Sequence, residues 1–407
     1  MGSSSISTRA GQAIADGKPA VASSFRLHRP RGPLCGRGYC FQCDLSCQAP
    51  AGPEPPVPPR DRLRPLGRLA ERFPPWFYEH RFLKPRVLRG VSLHALRYLS
   101  SAQDLPATAS YEGPRSWTEI EVHTVVVGAA RGFEDAHRVD LANGQLAIGV
   151  YPERTLGVLD AGGLTAVRFE RLVLATGSYE RLPPIAGNDL PGVIGARALE
   201  TYGEAGDLRA GTRIAVWAPA AMQRRMEACA ERHRLELVWM SDRAPEAILG
   251  KREVAAIRSG GEVACDLFVV GVSQPAIELA LQAGATARLS DGELPIVAVT
   301  EEPDWLELAG SAAAQGSGVP DVAMDDRAFA CLCEDVRVGD VKACVAQGFA
   351  HPELVKRRTG AMTGPCQGKL CSAAVLAALR EAGVDASPTR ARPLARPVTL
   401  GELAADA

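Results

Sequence analysis

No sign of charge dominates this chain: Lys and Arg number 46, Asp and Glu 47, and the formal net charge is -1. That balance leaves no electrostatic footprint for nucleic acid or an anionic membrane surface. Long hydrophobic runs are also missing, none approaching the roughly 20 residues that span a bilayer. The N-terminus lacks the basic region and apolar stretch of a secretory signal. Its opening Met1-Gly2-Ser3-Ser4-Ser5-Ile6 places Ile6 where myristoylation wants Ser or Thr. No repeat of fixed period runs through the chain. What is present is ordinary: 46% hydrophobic and 23% charged residues over 407 positions, which predicts a soluble cytoplasmic protein of two to three domains.

The eleven cysteines are the exception. A cytoplasmic chain keeps its thiols reduced, so a disulfide framework is not expected. Their distribution is uneven. Cys35, Cys40, Cys43 and Cys47 crowd near one end, Cys331, Cys333, Cys344, Cys366 and Cys371 near the other, with only Cys229 and Cys265 between. The end clusters point to metal; the isolated pair and Cys344 read as core filler.

Ser/Ala/Gly-rich residues 1–24 are expected to be loose, and 25–48 form a compact Gly/Cys-rich segment. Residues 49–118 read as a linker and connector: six prolines fall between Ala49 and Pro59, apolar residues Leu63, Leu66, Leu69, Ala70 and Phe73 recur at helical spacing, and Trp76-Phe77-Tyr78 follows. Residues 119–327 alternate strand and helix signals. Val122 to Gly128 is a buried β-branched run, Ile148 to Tyr151, Thr155 to Asp160 and Thr165 to Glu170 predict a meander, and Leu172 to Gly177 is another buried strand. Arg213 to Trp217, Ala220 to His233 and Leu235 to Met240 make an intact βαβ crossover. Such alternation predicts an α/β fold, doubly wound, with antiparallel inserts. Residues 328–387 change character to three short helices, Val336 to Gln347, His351 to Arg358 and Cys371 to Ala382, and 388–407 are a tail.

The strongest chemical signal is Cys331-Leu332-Cys333 followed, after thirty-two intervening residues, by Cys366-Gln367-Gly368-Lys369-Leu370-Cys371. A two-iron cluster needs four thiolates and backbone N–H groups free to bond its sulfides. Paired cysteines in loops meet the first need, and Gly364 and Gly368 permit the second. Four thiolates suit a closed zinc site as well, and spacing ranks iron–sulfur ahead of zinc and of bare thiols. Cys35-x4-Cys40-x2-Cys43 has the spacing of three ligands in plant-type ferredoxins, with Cys47 the only candidate for a fourth. Val127-Gly128-Ala129-Ala130-Arg131-Gly132 stands where a dinucleotide fingerprint would open, but Ala130 replaces the glycine that lets pyrophosphate approach. The later crossover reads Trp217-Ala218-Pro219-Ala220-Ala221 at the same place. The seven histidines are scattered without triad-like company, so no catalytic acid or base is assigned.

Ser24-Phe25-Arg26-Leu27-His28-Arg29-Pro30-Arg31-Gly32-Pro33, Leu174-Ala175-Thr176-Gly177-Ser178-Tyr179-Glu180-Arg181, Asp189-Leu190-Pro191-Gly192-Val193 and the Cys331 to Cys371 arrangement occur in that order. Over about residues 24 to 385 the chain thereby resembles the large, non-substrate-oxidising subunits of heteromeric flavin amine dehydrogenases: sarcosine oxidase α, opine oxidase A, dye-linked proline and hydroxyproline dehydrogenase α, and hydrogen cyanide synthase B. Its C-terminal module is similar to bacterioferritin-associated ferredoxin. The resemblance implies an FAD-containing catalytic partner of the D-amino-acid-oxidase type, an acceptor such as a quinone, dye or carrier, and any membrane association through the complex. It implies a [2Fe-2S] cluster on Cys331, Cys333, Cys366 and Cys371, and a second on Cys35, Cys40 and Cys43. It also implies FAD or FMN, with Gly128 and Gly132 at the first nucleotide turn and Thr176, Gly177 and Gly310 beside the nucleotide.

The family's N-terminal domain has more strand before and after the cysteines and a fourth cysteine later than Cys47, and three further departures fall in the nucleotide sites. The first half lacks room for a full helix and second strand, the late Gly-Asp reads Gly310-Ser311, and the second fingerprint is Trp217-Ala218-Pro219. The expected fold is therefore a degenerate FAD/NAD(P)-type domain with a truncated ferredoxin-like N-terminal segment and a helical [2Fe-2S] module. Its own dinucleotide would be bound weakly or not at all, any flavin standing at the subunit interface. The expected function is electron transfer within a complex acting on CH–NH bonds. A structural scaffold for the catalytic partner is the rival, and an independent NAD(P)H-dependent ferredoxin reductase needs a nucleotide site that the sequence does not show.

Overall fold

A computed structural model describes residues 8–24, 26–27, 29–40, 42, 116–291, 294–389, 391–395 and 398. The proline-rich stretch, the expected helix from Arg62 to Phe73, the Trp76-Phe77-Tyr78 patch, Cys43 and Cys47 lie outside these residues.

The first element corrects the expectation of a loose terminus. Thr8 Oγ1 accepts the Gly11 N–H at 3.1 Å and caps helix α1 (Arg9–Ala15). Ala10 and Ile14 share a buried cluster with Leu199 and Tyr202, and that apolar contact orders the segment. Short strands β1 (Ala22–Ser23) and β2 (Pro30–Arg31) pair antiparallel.

Strands β3 (Ser116–Gly128), β4 (His137–Val139), β5 (Leu146–Tyr151), β6 (Thr155–Asp160) and β7 (Gly163–Ala175) form a mixed sheet in the order β4-β3-β7-β6-β5. β3 runs parallel to both β4 and β7, and β5 to β7 form the expected antiparallel meander. The two strands read from Thr165 to Glu170 and Leu172 to Gly177 are one strand of 13 residues. β7 changes neighbour partway along without changing direction. No helix joins β3 to β4; the connecting loop is latched by Arg138, which donates to the Ala130 and Phe133 carbonyls at 2.8 and 3.1 Å.

Helical crossovers belong instead to a second sheet. β8 (Ser178–Glu180) leads to β9 (Val193–Gly195), α2 (Ala196–Glu204), β10 (Arg213–Trp217), α3 (Ala220–His233) and β11 (Glu236–Ser241). After the antiparallel β12 (Ala247–Leu249), β13 (Ala256–Arg258) and β14 (Glu262–Ala264) comes β15 (Leu267–Val270), completing a parallel sheet in the order β11-β10-β15-β9. Its central strands are apolar and buried from Ile214 to Trp217 and from Leu267 to Val270, as burial on both faces requires. β16 (Ser273–Pro275) pairs with β8, α4 (Glu278–Gln282) precedes the hairpin of β17 (Thr286–Leu289) and β18 (Val297–Glu301), and β19 (Leu306–Leu308) returns parallel to β7.

The C-terminal module starts with the hairpin of β20 (Phe329–Cys331) and β21 (Val336–Arg337), followed by α5 (Val338–Ala346), α6 (Pro352–Thr359) and α7 (Ser372–Glu381). Local chemistry sets the ends of α6: His351 Nδ1 accepts the Glu353 N–H at 3.2 Å, Pro352 occupies the first turn, and Gly360 takes φ +84° at the C-terminal turn. Residues Ala373 to Leu379 of α7 are all buried. They join Val341, Val355, Leu172, Leu174, Val125 and Val167 in one apolar cluster, so the module and the first sheet share a core.

A buried ionic knot ties the N-terminal segment to the module and to the turn leading into β9. Arg31 donates to Asp189 at 2.8 Å and to Asp335 at 2.5 Å, and Arg29 also pairs with Asp189. Asp335 further accepts the N–H groups of Arg26 and Leu27 at 3.1 and 2.8 Å. Burial alone would raise the Asp189 pKa, but the guanidiniums of Arg31 and Arg29 hold it below the usual carboxylate range. A carboxylate lowered on folding stabilises fully above its unfolded pKa of about 3.9 and loses that contribution as pH falls through the folded value. Thermal stability is therefore expected to drop in acid below pH about 4. Asp189→Asn should cost about 3 kcal/mol in urea unfolding at neutral pH, because it leaves buried guanidinium charge underpaired, and it should flatten the acid dependence.

Candidate metal centre

The hairpin between β20 and β21 and the loop from Ala361 to Leu370 bring four cysteines together. Cys331 ends β20, Cys333 sits in the hairpin, Cys366 lies in the loop, and Cys371 occupies the N-cap of α7. Cys331, Cys366 and Cys371 are at most 2% exposed, and Cys333 is half-buried. Their side chains form an unbroken series of hydrogen bonds, Cys371 to Cys331, Cys371 to Cys366 and Cys333 to Cys366. Ionisation is divided accordingly. Cys366 is held well below the ordinary thiol range by bonds from Cys333 and Cys371, helped by the N–H groups of Leu370 and Gly368. Cys331 is lowered by Cys371, with the N–H groups of Met362 and Glu334. The two donors, Cys333 and Cys371, are pushed up.

Backbone conformation supplies those N–H groups. Asp335, Met362, Gln367 and Gly368 take φ values of +51°, +65°, +53° and +85°, and the N–H groups of Met362 and Gly368 are among those that bond the sulfurs. Gly364 is required by packing: a Cβ there would lie 2.4 Å from Cys333 Cβ. Among the described residues, no three His, Cys, Asp or Glu side chains form a ready-made cage for a metal ion. The thiols stand in a row of pairwise contacts, held by the protons that a metal would replace. The donor set itself suits a two-iron cluster: four thiols gathered together, two with lowered pKa values, with backbone donors around them.

The N-terminal cysteine segment is folded onto this site. Cys35 and Cys40, each 1% exposed, share an apolar cluster with Leu332, Cys366 and Leu370. Burial opposes ionisation of Cys35, but the bond from Cys40 and the Arg37 N–H, 3.4 Å from Cys35 Sγ, lower its pKa overall. Cys333 Sγ lies 4.0 Å from the Cys40 carbonyl and 3.5 Å from Gln42 Nε2. Of the proposed N-terminal ligands, Cys35 and Cys40 are brought together; Cys43 and Cys47 lie outside the described residues. Sequence reasoning missed Gln42, whose only signal was its place inside Cys40-Phe41-Gln42-Cys43. Cys229 and Cys265 are buried, and that burial raises both to about 11; Cys344 is buried as well.

The nucleotide residues gather along one sheet edge. Gly128, Thr176, Gly177 and Gly310 follow the carboxyl ends of the adjacent parallel strands β3, β7 and β19, while Gly132 lies in the exposed loop beyond. Thr176 Oγ1 donates to the Ala276 carbonyl at 2.6 Å, and Ala276 N–H donates to the Gly177 carbonyl at 3.0 Å. The tightest packing among these glycines is at Gly128. Its φ of +94° serves contact with the Ala175 carbonyl, 2.3 Å from where a Cβ would stand, and the loop behind it has no helix to present N–H groups to pyrophosphate. After β10 a helix does follow, but Ala218 fills the turn against Gly271, and Gln223 Nε2 folds back onto the Ala218 carbonyl at 2.8 Å.

Comparison with known proteins concentrates on the same module. Residues 325–407 match the sarcosine oxidase A3 domain family. Opine oxidase A from Rhizobium meliloti (strain 1021) is 36% identical over 83 residues, 19% of this chain and 18% of that protein, so the match spans less than a fifth of that relative. The crystal structure of L-proline dehydrogenase from P. horikoshii aligns with a TM-score of 0.56 at 17% identity, covering 71% of this chain and 81% of that one, a likeness of fold. The similarity expected toward sarcosine and opine oxidase-type subunits is thus present in the C-terminal module, on a chain whose fold is like that of the L-proline dehydrogenase. Gly364→Ala should force Cys333 aside. In thiol titration of the native protein with a disulfide reagent, the reactivity of Cys333 is expected to rise at least several-fold while the far-ultraviolet circular dichroism is unchanged.

Proposed function

We propose that this chain is the electron-transferring, non-catalytic subunit of a heteromeric flavin-dependent oxidoreductase acting on CH–NH bonds. An FAD-containing partner of the D-amino-acid-oxidase type oxidises the amine or imino acid, and a quinone, dye or carrier accepts the electrons. Cys331, Cys333, Cys366 and Cys371 hold a [2Fe-2S] cluster, which when bound supplies a one-electron centre of tunable potential. The observation that carries the reading is the gathering of these four thiols, three of them buried, inside the module that matches the A3 domain.

The protein's own contribution is positional. Apolar neighbours Leu332 and Leu370 exclude water from the sulfurs, and the N–H groups of Glu334, Met362, Gly368 and Leu370 offset negative charge there. Gly128, Thr176, Gly177 and Gly310 leave a sheet edge where a flavin from the subunit interface can lie. With Ser311 in place of an acid and no helix after β3, the chain by itself holds dinucleotide weakly or not at all. Those same two features favour a second reading, a scaffold that docks the catalytic partner while its cysteines hold zinc or remain thiols.

Anaerobic purification of the whole chain, with iron, sulfide, zinc and flavin analysis and electron paramagnetic resonance after dithionite, separates the two. About two irons and two sulfides per chain are expected, lost in Cys366→Ser. About four of each would add a second cluster at Cys35, Cys40 and Cys43. Zinc without iron, or no metal at all, would leave the scaffold reading.

A further inference from the structure

Gln42 and Cys333 are separated by 291 positions, yet their side chains meet in the protein interior. Gln42 is 4% exposed. Its amide nitrogen lies 3.1 Å from the Cys40 carbonyl oxygen and 3.5 Å from Cys333 Sγ. A carbonyl oxygen can only accept, so the atom facing it is the NH2 group and not the amide oxygen. Each of the two N–H bonds of that group then has one acceptor, Cys40 O and Cys333 Sγ. The orientation is set by the backbone of the N-terminal segment and does not depend on the state of the sulfur.

The segment that presents Gln42 is itself held tightly. Arg31 is locked between Asp189 and Asp335, the Leu34 carbonyl accepts the Gly195 N–H at 2.8 Å, and Gly36 packs against Ala198. Asp335 and Cys333 belong to the same hairpin, so one ionic contact fixes both the donor's segment and the ligand's loop. The other close neighbour of Cys333 Sγ on this side is the Cys40 carbonyl, whose negative end faces the sulfur at 4.0 Å. A thiolate at Cys333 can no longer donate to that carbonyl, and the Gln42 N–H is the group placed to offset the added charge.

We propose that Gln42 is a positioning residue that sets the reduction potential of the C-terminal centre through its N–H to Cys333 Sγ, an inference that rests on the two-iron reading of the four thiols. Hydrogen bonds to cluster sulfurs favour the reduced, more negative state and raise the potential. Removing the donor lowers the potential without removing a ligand. The N-terminal cysteine segment thereby acts on the C-terminal centre whether or not it carries metal itself.

The test is a midpoint titration of the full chain, purified anaerobically, followed by electron paramagnetic resonance and the visible spectrum. Gln42→Leu, close in shape but without a donor, is expected to keep the iron and sulfide content of the parent and to titrate at a lower potential. Gln42→Glu, which also loses the donor and adds negative charge, should fall at least as far. A parent-like potential in either fully loaded variant overturns the proposal. Should Gln42→Leu load poorly, the potential of Gln42→Glu decides the matter alone. A parent chain with no iron or sulfide instead overturns the cluster reading, so the two failures are read on different samples.

Discussion

The contact on which most of the structure depends is the buried guanidinium of Arg31 between Asp189 and Asp335. Three separate stretches of sequence meet there: the N-terminal segment, the turn leading into β9, and the hairpin that carries Cys331 and Cys333. Each charge is nearly inaccessible to water, so each is tolerable only while its partners are in place. Asp335 is also in the left-handed region at φ +51° and accepts two backbone N–H groups, which leaves it little freedom to settle elsewhere. Folding of the cysteine hairpin and docking of the N-terminal segment are consequently one event.

Much of the architecture was legible in sequence because it rests on local pattern. The βαβ unit from Arg213 to Ser241, the meander, and the three C-terminal helices follow from β-branched runs, glycine turns and apolar spacing, and their ends fall within a few residues of those expected. The failures have a common cause. Spacing already left no room for a full helix after Val125-Val126-Val127-Gly128, but the Ala175 carbonyl that its glycine meets belongs to a partner strand distant in sequence. Likewise Thr165 to Gly177 reads as two strands when turn residues are weighed without knowing that β6 and β19 share one partner. The ordered N-terminal helix was missed because its stabilising contacts, with Leu199 and Tyr202, lie far along the chain.

The candidate site divides in the same way. Pairs of cysteines at short spacing announce themselves, and Cys331, Cys333, Cys366 and Cys371 do stand together. The six-cysteine neighbourhood does not announce itself, because nothing in the spacing of Cys35 and Cys40 tells that their loop lies on the other cluster. Gln42 illustrates the limit: an amide between two cysteines is unremarkable in sequence and acquires a role only from a contact across nearly 300 positions.

Strand β7, paired with β3 along its length and with β6 and then β19 on its other edge, carries a consequence for how this fold can diverge. Side chains along a strand alternate faces, so losing one residue from its middle would turn every later side chain to the opposite face. Here the meander is fitted to the first half and β19, with the sheet edge behind it, to the second half. The two halves cannot drift in length independently, so variation must go into the loops at either end. The 13-residue span of β7 is in that sense the molecule's fixed ruler.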